Sequence, residues 1–150
     1  MKKSILFTVL IFLSFVSIHA QSYEYKVITS VESIVSSGLG RSRLISANDT
    51  RDYKQFTSTR SEENNERNKS DRGEIRVKNF DETKLLNFYN LGGIRFQNIA
   101  ANDAVITSKI NTMIEEGWEL SFVVSAVESQ GGKGDNQGIF ITRYIFRRAK

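Results

Sequence analysis

The sequence predicts an α+β fold, a small antiparallel sheet with one principal helix packed on one face. Three observations predict it. Apolar residues recur at helical spacing between Asn102 and Gly117, the period then switches to two from Trp118 onward, and a first alternating segment stands at Tyr23 to Val31. A helix followed by a strand pair, with a further strand far upstream, is the pattern of an α+β domain.

The chain begins with a segment that belongs to none of these elements. Lys2 and Lys3 form a positive n-region, Ile5 to Ile18 an apolar stretch of 14 residues, and Ala20 a small residue at a cleavage point. Such a stretch is shorter than the ~20 residues a membrane helix needs. Residues 1–20 are therefore expected to be a signal peptide, and residues 21–150 a single exported domain, periplasmic or extracellular, that does not span a membrane. Ile18 at position −3 leaves the exact cut open.

Export changes the chemistry available. The chain has no Cys and one His, and that residue, His19, leaves with the leader. Without His or Cys, Ser-His-Asp and Cys-His sites and the usual zinc or copper centres are closed, so no cofactor and no metal is expected. The absence of Cys also removes any lipobox and any disulfide, and about 130 residues must hold together by packing. Net charge falls as well: 21 basic and 17 acidic residues become 19 and 17 once Lys2 and Lys3 are gone, which gives no case for nucleic acid.

Along the mature chain, Tyr23 to Val31 alternates, with Tyr23, Tyr25, Val27 and Val31 on the apolar side and Glu24, Lys26 and Ser30 opposite. Ser36 to Gly40 reads as a turn, and Arg41 to Ser46 as a short return strand. From Thr57 to Glu74 no residue is apolar and both charge signs mix on a Ser/Asn background, so a mobile polar loop is expected at about 57–74. Asn48-Asp49-Thr50 and Asn68-Lys69-Ser70 match the short glycosylation pattern, a match common by chance. Glu74 to Phe80, Leu85 to Tyr89 and Gly93 to Ile99 are apolar pieces whose strand or helix identity stays open.

The principal helix is expected to start at an Asn102 or Asp103 cap, to turn Ile106, Ile110, Met113 and Ile114 inward, and to stop at Gly117. Trp118, Leu120, Phe122, Val124 and Ala126 then share one face of a strand. A second strand, Ile139 to Arg148, puts Phe140, Thr142, Tyr144 and Phe146 on one side, with a Gly-rich hairpin loop, Gln130 to Gly138, between the two. The helix is expected to cover these aromatic faces.

Tyr25-Lys26-Val27-Ile28, Glu116-Gly117-Trp118-Glu119-Leu120 and Tyr144-Ile145-Phe146-Arg147-Arg148 resemble a small bacterial domain-of-unknown-function family. Its pattern is a YKVV-like first strand, a helix ending in EGWELV and a closing YIFKR-like strand. The chain is also similar to exported Bacteroidetes proteins with a GLGRSR segment and a GIFITRY strand, matched by Gly38 to Arg43 and Gly138 to Tyr144. The resemblance implies a β-α-β-β core, into which residues 36–102 are a long insertion, and it implies no catalytic residue.

The remaining chemistry is thin. Glu115, Glu116 and Glu119 cluster in sequence, as a carboxylate hydrolase acting on envelope glycan would need. A solvated acidic edge accounts for them more simply. Gly38-Leu39-Gly40 and Gly132-Lys133-Gly134 lack the spacing of nucleotide loops and read as turns. Trp118 could stack on a sugar, but its parity with Leu120 and Phe122 favours a core anchor.

One face of the sheet stands out. Arg143 and Arg147 lie in line with Ile139, Ile141 and Ile145, and Val123 and Val127 are expected to join them from the neighbouring strand. The insertion, with Leu85, Leu86, Phe88, Tyr89, Ile94 and Phe96 to bury, is expected to cover that face; left open, it would be an apolar surface bearing arginines. The expected function is thus a non-enzymatic interaction domain for a protein or envelope component. The alternative is an anion binder that uses Arg41, Arg43, Arg143 and Arg147.

Overall fold

The structure, a computed structural model, describes residues 21–33, 41–90, 92–128 and 138–150. The expected signal peptide, the turn at 36–40 and most of the hairpin loop at 130–138 lie outside the described residues. Five strands form one antiparallel sheet in the order β3-β2-β1-β7-β6, with β1 Tyr23–Ser33, β2 Ser42–Ala47, β3 Phe80–Leu85, β6 Glu119–Glu128 and β7 Ile139–Ala149. A two-residue ribbon, β4 Tyr89–Asn90 with β5 Gly93–Ile94, leads into the main helix, Phe96–Glu115. The predicted α+β class, a small antiparallel sheet with one principal helix, is the class observed.

One side of the sheet packs on the helix. Ile28, Leu44, Leu85 and Phe146 from four strands meet Ile106 and Met113 from the helix, with Val105, Ile110, Trp118, Leu120 and Tyr144 around them. Burying side chains of this size contributes ~1.5–3 kcal/mol each. On β1 the buried side is Ile28 and Ser30, and on β2 it is Ser42, Leu44 and Ser46. Tyr25 and Val27 face away and are exposed, so the Tyr/Val side of β1 is not the core side. Serines leave room for the helix to approach closely: Ser42 Oγ accepts from Ser33 N–H at 3.0 Å and lies 2.7 Å from Asn87 Oδ1, whereas Ser46 Oγ is buried without a hydrogen-bond partner among the described residues.

The helix starts six residues before the expected cap. Arg95 is its N-cap, and Asn102 sits inside it, 2% exposed. There the Asn102 side chain accepts from Leu86 N–H and donates to Leu86 C=O, both at 2.7 Å, and so reproduces a strand-like pairing with the chain that leaves β3. Ile114 is exposed rather than inward. The C-terminal end is as expected: Gly117 takes φ +84°, a conformation that favours glycine, and Trp118 N–H closes on Met113 C=O.

Residues 57–71 carry no helix or strand. They are held by local bonds such as Asn68 N–H to Ser58 Oγ, and a single helical turn, Arg72–Ile75, follows.

The insertion behaves differently from expectation. Its β3 extends the sheet at the β2 edge, and its next residues turn to the helix side, where Asn102 holds Leu86 and the Phe88 ring lies 5.8 Å from that of Phe140. Among the described residues it does not cover the other face. Leu85 is buried, but Leu86, Tyr89, Ile94 and Phe96 stay exposed.

Candidate interaction surface

Strand parity assembles the open face. Across β2, β1, β7 and β6, Ile45 pairs with Thr29, Thr29 with Arg143, and Arg143 with Val124. One row along, Val27 pairs with Ile145 and Ile145 with Phe122; on the other flank, Arg43 pairs with Val31, Val31 with Ile141 and Ile141 with Ala126. An antiparallel sheet with one side in water is ordinarily polar on that side. Here Phe122 is 62% exposed, Val124 55% and Tyr25 60%, with Ile139, Ile141 and Ile145 half-buried between them.

A β-bulge decides which β6 residues share that face. The register between β6 and β7 shifts between Leu120 and Phe122, so Leu120 lies on the helix side and Phe122, Val124 and Ala126 on the open side. The single alternating set from Trp118 to Ala126 is therefore split. Val123 and Val127 pair with Tyr144 and Phe140 on the helix side, not with the Ile139 row, because the extra residue reverses the parity of everything after it.

The four predicted arginines do not gather into one patch. Arg43 on β2 is ion-paired with Glu82 of β3. Arg147 on β7 forks onto Glu119 of β6, Nε to Oε2 at 2.9 Å and Nη2 to Oε1 at 3.0 Å, with its Cζ 5.0 Å from the Tyr23 ring centroid. That pairing holds the Glu119 carboxyl below its ordinary range and the Arg147 guanidinium above its own. Arg143 is exposed and forms no ion pair among the described residues, and the same holds for Arg41 just before β2. Of the two, Arg143 stands in the apolar field, with Val124 and Thr29 beside it on the neighbouring strands.

The other sequence candidates are accounted for locally. Glu119 is tied to Arg147, while Glu115 and Glu116 are exposed at the helix end. Trp118 is half-buried against the core, and the Arg148 guanidinium lies 4.4 Å from its ring centroid while also bonding Glu24. Beside it, where β2 turns away from β1, a shallow cavity of about 390 Å³ opens between Glu24, Tyr25, Asn48 and Asp49. Sequence periodicity carries no signal for it, since it arises where two strands part.

A further polar group lies under the helix. Burial raises the Glu32 carboxyl above its ordinary 4.5, with a hydrogen bond from Asn102 opposing and the Asp103 charge adding to the rise. The Tyr144 hydroxyl is likewise raised by burial, against a hydrogen bond with Ser30. Among the described residues no cluster of acidic or histidine side chains is arranged to hold a metal ion, and no helix is long and apolar enough to cross a membrane. Compared with protein-family models, curated proteins and solved structures, the chain matches none.

Proposed function

We propose that this chain is an exported, non-enzymatic interaction domain that binds through the open face of its sheet, with Arg143 at the centre. The partner is an envelope protein or other envelope component offering apolar surface with a carboxylate or similar anion. The observation that supports this reading is the unpaired Arg143 among Phe122, Val124, Ile141 and Ile145, on a face that no other element covers among the described residues. A contiguous exposed apolar tract is costly to keep in water and marks a binding surface. Arg143 supplies orientation and charge selection, because an anion placed there escapes the competition that Glu82 and Glu119 impose at Arg43 and Arg147.

An apolar anion, anilinonaphthalene sulfonate, tests the chemistry. The folded chain is expected to enhance its fluorescence, and Arg143→Gln and Phe122→Ser are each expected to weaken binding at least threefold. Displacement by millimolar phosphate with no effect of Phe122→Ser would replace this reading with the simple anion binder. Binding unchanged in both variants would overturn it.

A further inference from the structure

The two edges of the sheet differ in a way that bears on assembly. An edge strand presents unpaired backbone N–H and C=O groups, and proteins protect such edges with charge, proline or cover. The β3 edge is protected: Asp81, Glu82 and Lys84 are exposed along its six residues. The β6 edge is not. From Leu120 to Val127 it has no charged residue, and Phe122, Val123, Val124 and Val127 are exposed on its two sides.

We propose that β6 is the seam at which a second copy of this chain adds, antiparallel, to make one continuous sheet of ten strands. Pairing about a two-fold at Val124 sets Val124 against its own copy, Phe122 against Ala126, Val123 against Ser125 and Leu120 against Glu128. The largest open-face side chain of β6 thus meets the smallest, and no like charges stand opposite one another. Glu119, already held by Arg147, falls beyond the paired stretch. From Phe122 to Ala126 each pair joins residues on the same side of the sheet, so both open faces lie on the same side and their apolar rows run on across the seam; the bulge puts Leu120 on the helix side and Glu128 on the open side, which ends the regular pairing there. Pairing Val123 with Val124 would instead set Glu119 against Glu128 and turn one copy over, open face beside helix side, a relation that no two-fold between the strands provides. Among the registers that keep the two open faces together, the match of Phe122 to Ala126 selects Val124, and the two-fold makes the contact isologous and closed rather than fibrous. The proposal rests on the reading of the open face as an interaction surface, which it doubles in width.

The chain's lack of cysteine makes the register directly readable. Single cysteines at Phe122, Val123, Val124, Ser125 and Ala126, in chain purified after export, are oxidised mildly and resolved by size. Opposed residues in an antiparallel pair have Cα atoms ~4.5–5.5 Å apart, within disulfide reach. Cross-linking is expected to peak at Val124→Cys and to fall at least tenfold two residues away. In sedimentation the parent chain is expected to show twice the monomer mass, and Val124→Lys, with an unchanged circular-dichroism spectrum, to weaken the dimer at least tenfold. A monomer throughout the micromolar range, equal cross-linking at all five positions, or a dimer indifferent to Val124→Lys would overturn the seam. A monomer that still binds the naphthalene sulfonate refutes the pairing alone; a dimer that fails to bind it refutes the reading of the face.

Discussion

Asn102→Asp separates a helix cap from a buried clamp. Asn and Asp are equivalent as N-caps, so a capping role predicts a change near zero. In the observed position, 2% exposed inside the helix, the amide both accepts from Leu86 N–H and donates to Leu86 C=O. The carboxylate keeps the first bond and loses the second, worth about 1 kcal/mol. It also buries a negative charge close to Glu32, whose carboxyl already feels Asn102 and Asp103, for a further ~1–3 kcal/mol. The expected loss is about 2–4 kcal/mol at neutral pH, a large share of the ~5–15 kcal/mol that a domain of this kind has. Urea unfolding followed by circular dichroism measures it. A loss under about 0.5 kcal/mol would refute the clamp.

Four further predictions follow from the same geometry. Burial raises Glu32 in the native state, so the native chain binds that proton more tightly than the unfolded one. Its contribution is complete below the ordinary 4.5 and is lost as pH rises through the native value. Glu32→Gln is therefore expected to melt higher than the parent at neutral pH and equally at about pH 3.5, as read by thermal scans. Phe146→Ala, in the core, is expected to cost ~3–5 kcal/mol, whereas Phe122→Ala on the open face stays within ~0.5 kcal/mol by the same unfolding assay. Gly117→Ala meets only Arg148 Cδ at 3.7 Å, so its cost, ~1 kcal/mol in urea unfolding, comes from the positive φ. Glu119→Gln leaves Arg147 without its carboxylate and is expected to strengthen naphthalene sulfonate binding in the fluorescence titration.

How much of this was legible in the sequence depends on whether local pattern or tertiary contact decides. Gly117 and the period switch at Trp118 gave the helix end and β6, because a positive-φ stop and alternation are local. The side of β7 bearing Arg143, Arg147 and the three isoleucines is legible for the same reason. On β1 apolar content points to the wrong core side, since Tyr23, Tyr25 and Val27 outweigh Ile28 and Ser30. The helix selects the serine side because small residues let it come close, and that is a property of the pair rather than of the strand. The bulge after Leu120 adds one residue without a marker such as glycine, and it moved Val123 and Val127 to the helix side. The insertion was expected as a cover, but Asn102 and Phe140 draw it to the side already covered. That choice is what leaves the candidate face open.

The most direct measurement of the central claim is labelling in place. A single cysteine at Ile141 on the open face and another at Thr107 on the exposed side of the helix are introduced into the exported chain, which has no cysteine of its own. Each is reacted with a water-soluble maleimide, once in the intact envelope and once after purification. If the open face binds a partner, the cysteine at Ile141 is labelled at least tenfold more slowly in the envelope than in the purified chain, while that at Thr107 reacts at similar rates in both. Equal rates at Ile141 in the two settings would contradict the account.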